Sequence, residues 1–175
     1  RNGGTVSVDH CTFSGNSADS PTKPAVLYIE NAQTTVKNSI LWGDPVAEIL
    51  VSSGSLNITY YDIQDSLWAG VGNIKADPQF TTANGSDFYL QPTSPCIDTG
   101  DTTSTVDSDG TWTDMGAEAY SGPRHITGTL ATDKLFAGLT YRVTDTVRVS
   151  AGNTLAIPEG VSVLFDSDVP FIVDG

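Results

Sequence analysis

Three segments of the chain repeat one pattern of small, apolar and polar positions, and this repetition limits the possible folds more than any other feature. Residues 4–16, 32–44 and 54–66 read GTVSVDHCTFSGN, AQTTVKNSILWGD and GSLNITYYDIQDS. The interval is 28 residues from Val8 to Val36 and 22 residues from Val36 to Ile58, which suits one coil of a β-solenoid. The aligned apolar positions hold Val8, Val36 and Ile58, and further along Phe13, Leu41 and Ile63.

The runs between turn residues are too short and too rich in β-branched residues for helices. One coil of a solenoid cannot bury its own apolar face, so coils stack at about 4.8 Å and align like side chains into internal ladders. An antiparallel sandwich, with a chance similarity between segments, is the alternative. The runs are not joined by the tight two-residue turns of hairpins, which favours parallel coils. The sequence therefore predicts an all-β fold in which the two aligned apolar positions stack.

The repeat occupies only the first part of the chain, and two other patterns follow it. Residues 67–121 contain closely spaced turns such as Asp77-Pro78 and Asp109-Gly110, which is typical of a loop-rich cap. In residues 122–175, short alternating apolar runs are again separated by glycine corners. We therefore expect closing coils of a β-helix at 1–66, a cap or linker at 67–121, and opening coils of a second β-helix at 122–175.

Several stretches of the chain resemble a family of bacterial secreted proteins. They read VDHCTFSGNSA at 8–18, VKNSILWGD at 36–44, NITYYDIQ at 57–64, GNIKADPQF at 72–80, FYLQPTSPCIDTGD at 88–101 and DMGAEAY at 114–120. These are similar to stretches of right-handed parallel β-helix proteins that have polymorphic-outer-membrane-protein-like repeats and C-terminal sorting anchors. The resemblance implies a right-handed parallel β-helix (solenoid) and an extracellular or cell-surface location. It leaves the function open, because this architecture serves adhesins, passenger domains, polysaccharide-degrading enzymes and plain spacers.

The order of the two halves departs from that family, because closing coils come before opening coils. Read end to end, FIVDG at 171–175 continues into RNGGTVSVDHCTF at 1–13 as one coil. We therefore expect a structural repeat unit that stacks head to tail, as tandem copies in one polypeptide or as a fibre of separate subunits. A laboratory or proteolytic fragment whose ends carry no meaning is the alternative. The expected assembly edges hold Thr5, Val6, Val8, Val161, Val163, Phe171 and Val173.

The charge of the chain argues against two classes of partner. With 21 acidic and 8 basic residues, the formal net charge is −13. Nucleic acids and anionic membranes both require basic patches that offset phosphate charge. No apolar run reaches the roughly 20 residues that a membrane-spanning helix needs. We therefore expect no nucleic-acid partner and no membrane insertion.

One acidic loop is a candidate calcium site. Asp107, Asp109 and Asp114 lie around Gly110, and alternating aspartates with a glycine that permits a sharp turn suit a hard cation with oxygen ligands. The loop lacks the distal bidentate glutamate of a helix–loop–helix calcium site. An aspartate-rich turn that is capped by its own side chains is the alternative. Calcium is the one cofactor that the sequence suggests, and none is required.

Catalytic groups are sparse, so we expect no enzymatic activity. The repeats carry no row of carboxylates, and Asp9 beside Lys37 is more simply an ion pair between neighbouring coils. His10 and His125 have no nucleophile or metal-like partner nearby in sequence. The runner-up function is a carbohydrate-binding or adhesive module of a cell-surface protein. Its stacking platforms would be aromatic side chains, namely Trp42, Tyr60, Tyr61, Trp68 and Trp112.

Two kinds of covalent modification are open from the sequence. Cys11 and Cys96 allow one disulfide, although a buried free thiol is the default for Cys11 in its strand-like run. Asn57 and Asn84 match the glycosylation acceptor pattern and would matter only in a chain that is processed in that way.

Overall fold

The computed structural model describes residues 3–20, 22–81, 88–131, 133–135 and 138–175. These ranges hold twelve β-strands and no helix, which confirms the expected all-β class. The chain divides into two compact units, Arg1–Tyr120 and Ser121–Gly175. All pairings between the described strands are parallel, as the lack of hairpin turns predicts.

The first unit contains two parallel sheets whose strands come from successive repeats of the sequence. Its strands are β1 (Thr5–Asp9), β2 (Thr12–Ser14), β3 (Leu27–Ile29), β4 (Ala32–Trp42), β5 (Ile49–Val51) and β6 (Gly54–Ile63). In the larger sheet β4 lies in the middle, with β1 and β2 along one side and β6 along the other. The smaller sheet consists of β3 and β5.

The register of the larger sheet matches the alignment of the sequence repeats. β1 and β2 meet β4 at the positions that the repeats predict, and β4 meets β6 in the same way. The two columns of aligned side chains are Val8, Val36 and Ile58, and Phe13, Leu41 and Ile63. Their stacking is therefore confirmed. Val36, Leu41, Ile58 and Ile63 are buried in one core with Tyr61, and each fully buried aliphatic side chain contributes about 1.5–3 kcal/mol.

The first two coils keep this register although they differ in length. Twelve residues separate Ser14 at the end of β2 from Leu27 at the start of β3. Six residues separate Trp42 at the end of β4 from Ile49 at the start of β5. The turn between β2 and β3 therefore absorbs the difference between the 28-residue and 22-residue repeats.

One position of the sequence repeat adopts the left-handed backbone conformation in all three segments. His10, Asn38 and Tyr60 have φ values of 49°, 48° and 50°, and they occupy the same place in the three coils. The Asn38 side chain donates to Asp9 Oδ1 over 2.9 Å and accepts from the Asp101 N–H over 2.8 Å. Asparagine tolerates this conformation better than most residues do, whereas tyrosine and histidine gain less from it.

A segment without regular strands covers the outer side of β6. Ile74 donates its N–H to the Tyr61 carbonyl over 2.8 Å, and the Tyr60 N–H bonds to the Val71 carbonyl over 2.8 Å. A second core forms beneath this segment from Ile40, Leu90, Cys96 and Met115. The segment thus satisfies backbone groups that β6 would otherwise expose at the sheet edge.

The second unit repeats the parallel arrangement with shorter strands. They are β7 (Arg124–Leu130), β8 (Asp133–Lys134), β9 (Thr140–Val149), β10 (Leu155–Ala156), β11 (Ser162–Phe165) and β12 (Phe171–Val173). β9 lies between β7 on one side and β11 and β12 on the other, and β8 pairs with β10. Two ion pairs join β9 to the residues directly after β11 and β12, Arg142 to Asp166 and Arg148 to Asp174.

Candidate assembly edges and acidic sites

The first candidate edge is β1. This strand pairs with β4 on one side, and among the described residues no strand pairs with its other side. Thr5 is exposed and Val6 is 44% exposed, whereas Thr34, which lies opposite Val6 on β4, is buried. Val8 is half-buried against the first core. On this edge, Val6 and Val8 are therefore more exposed than the residues that lie opposite them on β4.

The second candidate edge is formed by β11 and β12. Both strands pair with β9, and within the ranges described no strand pairs beyond them. Val143 on β9 is wholly buried, while Phe165, which lies opposite it on β11, is 50% exposed. Val173 on β12 is 69% exposed, although Val149 opposite it is buried. The Phe165 and Phe171 rings meet edge to face, with their centroids 6.1 Å apart.

The predicted edge residues thus fall into two groups. Thr5, Val6 and Val8 lie on β1, and Phe171 and Val173 lie on β12. Val163 lies on β11, with Val161 directly before it, and both are half-buried. Sequence reasoning did not name Phe165 or Leu164, which are both about half exposed on β11. Aligning 162–165 with 140–143 could have found Phe165, because it lies opposite the buried Val143, whereas Leu164 lies opposite the exposed Arg142.

The carboxylates of the predicted calcium loop accept hydrogen bonds from the loop itself and from the chain on either side of it. Asp107 Oδ2 accepts from the Asp114 N–H over 2.9 Å, and Asp109 Oδ1 accepts from the Thr111 hydroxyl over 2.7 Å. Asp114 accepts from the N–H groups of Asp98 and Tyr120 over 2.7 and 2.6 Å. Within the described residues no group of three or more acidic, histidine or cysteine side chains could hold a metal ion. The structure thus places the three aspartates in one turn that they hold together.

Burial also alters the acidity of this loop. Burial, followed by the carboxylates of Asp107 and Asp98, raises the pKa of Asp114 to about 7, against the backbone hydrogen bonds that it accepts. Burial likewise raises the pKa of Asp107. Gly110 has a φ of 83°, which is the sharp turn that the glycine was expected to permit.

The predicted ion pair between neighbouring coils is present. Lys37 Nζ lies 3.8 Å from Asp9 Oδ2, and the two residues are opposite each other on β4 and β1. The same ammonium lies 3.4 Å from Asp101 Oδ2 and donates to the Ser104 hydroxyl over 3.0 Å. Lys37 thereby connects β1 and β4 to the covering segment, which is a structural role.

A buried glutamate that sequence reasoning missed lines a cleft in the first unit. Glu48 is only 1% exposed, and both of its carboxylate oxygens lack a hydrogen-bond partner. Its backbone is fixed from two sides, because its carbonyl accepts from Leu27 over 2.9 Å and its N–H donates to Asp65 Oδ2 over 3.0 Å. The cleft has a volume of about 290 Å³ and is lined by Ala47, Glu48, Ile49, Ile63, Asp65, Ser66 and Trp68.

Burial and neighbouring carboxyl groups alter the acidity of Glu48. Burial, followed by the carboxylates of Asp65, Asp44 and Asp62, raises the pKa of Glu48 to about 8. The nearby Gln64 N–H opposes part of this shift, but it donates its hydrogen bond to the Leu41 carbonyl. The sequence signal was faint, since one glutamate before an apolar pair reads as an ordinary surface residue.

The remaining predicted residues are dispersed. Cys11 and Cys96 are both free, and the Cys96 thiol donates to Asp62 Oδ2 over 3.3 Å in the second core. Asn57 is exposed on β6, whereas Asn84 lies outside the described residues. Tyr61 cannot be a stacking platform, because it is wholly buried and its hydroxyl accepts from the Trp68 N–H over 2.6 Å.

Neither a membrane-spanning helix in the described ranges nor a related protein indicates what the chain does. Across the described ranges no helix is long and apolar enough to cross a bilayer. Comparisons of the chain with protein-family models, with curated proteins and with solved structures find no match.

Proposed function

We propose that the chain is a non-catalytic, extracellular structural module, a right-handed parallel β-helix that stacks head to tail with further copies of itself. Parallel coils in register support this proposal, because such coils extend by adding another coil at an open edge. The observation that carries the proposal is the pair of edges that no described strand covers, β1 in one unit and β11 with β12 in the other. Each edge exposes apolar side chains, namely Val6, Phe165 and Val173, while the residues opposite them on the neighbouring strand are buried.

The two edges are chemically suited to each other. Strand addition satisfies unpaired backbone groups, and it would also cover Val6 on one side and Phe165 and Val173 on the other. Burying about 600 Å² of apolar surface would contribute about 15 kcal/mol before the costs of association. Because the two edges differ, the contact does not close on itself, and repeated contacts generate a filament.

The test is the assembly state of the purified chain. We expect light scattering after size exclusion, together with electron microscopy, to reveal filaments whose length grows with protein concentration. The substitution Val173→Lys should shorten or abolish the filaments, because it places a charge on β12 where the next copy would pack. Val71→Lys is the matched control, since Val71 is a valine of similar exposure in the segment that covers β6 and lies on none of the edge strands. A wild-type chain that stays monomeric at its highest attainable concentration would contradict the proposal.

A second candidate function is carbohydrate binding, and the position of Trp112 favours it. Trp112 is 48% exposed and follows Thr111 in the aspartate-rich turn. An exposed aromatic ring beside polar groups can stack on a sugar ring while those groups bind hydroxyls. Co-sedimentation with insoluble polysaccharides tests this function, and loss of binding in Trp112→Ala but not in Tyr28→Ala would support it.

A further inference from the structure

The cleft at Glu48 combines apolar and acidic surfaces in a small space. Ile49, Ile63 and Trp68 supply apolar and aromatic surface, while Glu48 and Asp65 supply carboxyl groups. Its volume of about 290 Å³ lies at the lower end of the range for small-molecule sites. The cleft therefore suits one small group rather than an oligosaccharide.

The carboxyl group of Glu48 needs a hydrogen-bond donor that the described chain does not supply. A buried polar group without a partner costs much of its hydration, and a buried carboxylate costs more. Asp44 Oδ2, near Glu48, is also buried without a partner. The backbone of Glu48 is held in place by its hydrogen bonds to Leu27 and to Asp65.

The charge around the cleft favours a cationic donor. The carboxyl groups of Asp44, Asp62 and Asp65 each raise the pKa of Glu48. Tyr61 is the other titratable group beside it. The nearby Lys75 donates to the backbone carbonyl of Asp65, and in the described part of the chain it forms no ion pair with these carboxylates. A neutral sugar would leave this repulsion in place, whereas a cation would relieve it.

Among cations, an organic ammonium fits better than a metal ion. No group of three or more metal-ligating side chains occurs among the described residues, so a preformed cage for calcium is lacking here. An ammonium needs one or two acceptors, and its methylene stem would pack against Ile49 and Ile63. Trp68 adds an aromatic ring, which attracts a cation at its face.

We propose that this cleft binds an alkylammonium group, with Glu48 as its buried acceptor and Trp68 as its aromatic wall. The group comes either from a lysine side chain of a partner protein or from a free aliphatic amine. This inference is independent of head-to-tail stacking, because it uses neither of the assembly edges.

Calorimetry on the full chain tests the proposal with two amine probes. They are 1,5-diaminopentane and the blocked peptide acetyl-Gly-Lys-Gly-amide, and 1-pentanol is the uncharged control. We expect both amines to bind, pentanol not to bind, and Glu48→Gln to weaken the amines about tenfold or more. Glu118→Gln makes the same replacement at an exposed site and should leave binding unchanged. Tighter binding of the peptide assigns the site to a partner's lysine, and tighter binding of the diamine assigns it to a free amine.

Two further measurements keep the proposal falsifiable. Trp68→Leu keeps the wall apolar but removes the ring, so it should weaken the amines several-fold while a melting curve confirms that the variant is folded. Titration with calcium chloride addresses the competing cation. Absence of heat with both amines, equal binding of pentanol, or calcium binding that Glu48→Gln abolishes while the amines do not bind would each overturn the proposal.

Discussion

At the scale of single residues, three corner positions shape the first unit. His10, Asn38 and Tyr60 adopt the left-handed backbone conformation at the same point of the three repeats. Only Asn38 is wholly buried, and its amide joins Asp9 on the first coil to Asp101 in the covering segment. One side chain thus stabilises both the bend and the attachment of the segment that closes the sheet.

The substitution Asn38→Ala should destabilise the first unit by roughly 2–4 kcal/mol. It removes the partly buried hydrogen bonds of the Asn38 side chain to Asp9, Ser104 and Asp101, and it places alanine in a conformation that costs about 1–2 kcal/mol. Urea denaturation measures the loss. Asn38→Gly should lose less, because glycine adopts this conformation without strain. Asn57→Ala, at an exposed position, should remain within about 0.5 kcal/mol of wild type, and an equal effect at both asparagines would contradict this account.

At the scale of elements, the alignment of coils was predictable, while their corners and clefts were not. Val8, Val36 and Ile58 revealed the register because buried columns demand apolar residues at fixed places in each coil. Nothing in the chemistry of Tyr60 marks a left-handed bend, since that conformation follows from the path of the coil. Glu48 was missed because Asp65 and Trp68, which lie beside it, follow the third repeat and are distant from it in sequence.

The close approach of coils at Gly54 leads to a second prediction. Gly54 has a φ of 99°, and a Cβ there would lie 2.1 Å from the carbonyl oxygen of Ala32 on the neighbouring strand. Gly54→Ala should therefore force β6 away from β4 and cost more than about 2 kcal/mol. Gly15→Ala is the control, because Gly15 also has a positive φ but has no atom within 4 Å of the added Cβ. Similar melting temperatures for the two variants would mean that the close approach of β6 to β4 at Gly54 does not cause the loss of stability.

At the scale of the whole molecule, acidic groups dominate. The net charge is −13, and several carboxyl groups in the first unit are buried. Burial is the largest cause of a raised pKa for Asp62, Asp114 and Glu48, which reach about 6, about 7 and about 8. A group with a pKa that is higher in the folded state binds its proton more tightly there, so acid favours folding.

The first unit should therefore be more stable at pH 5 than at pH 8. The contribution of these three groups is fully present below pH about 4 and is lost as the pH rises through about 6 to 8. Thermal unfolding across this range measures the effect. Glu48→Gln should flatten the upper part of the profile, whereas Glu118→Gln should not. A melting temperature that is equal or higher at pH 8 would be evidence against buried, proton-binding carboxyl groups.

The unequal length of the first two coils has a practical consequence. Because the register survives six additional residues between Ser14 and Leu27, this turn is the natural place to graft a foreign peptide. The same graft between Trp42 and Ile49 would disrupt the backbone bonds of Glu48. A tag at the first site should leave the melting temperature unchanged and at the second should lower it. The coil would then act as a display scaffold that carries variable loops on an invariant frame.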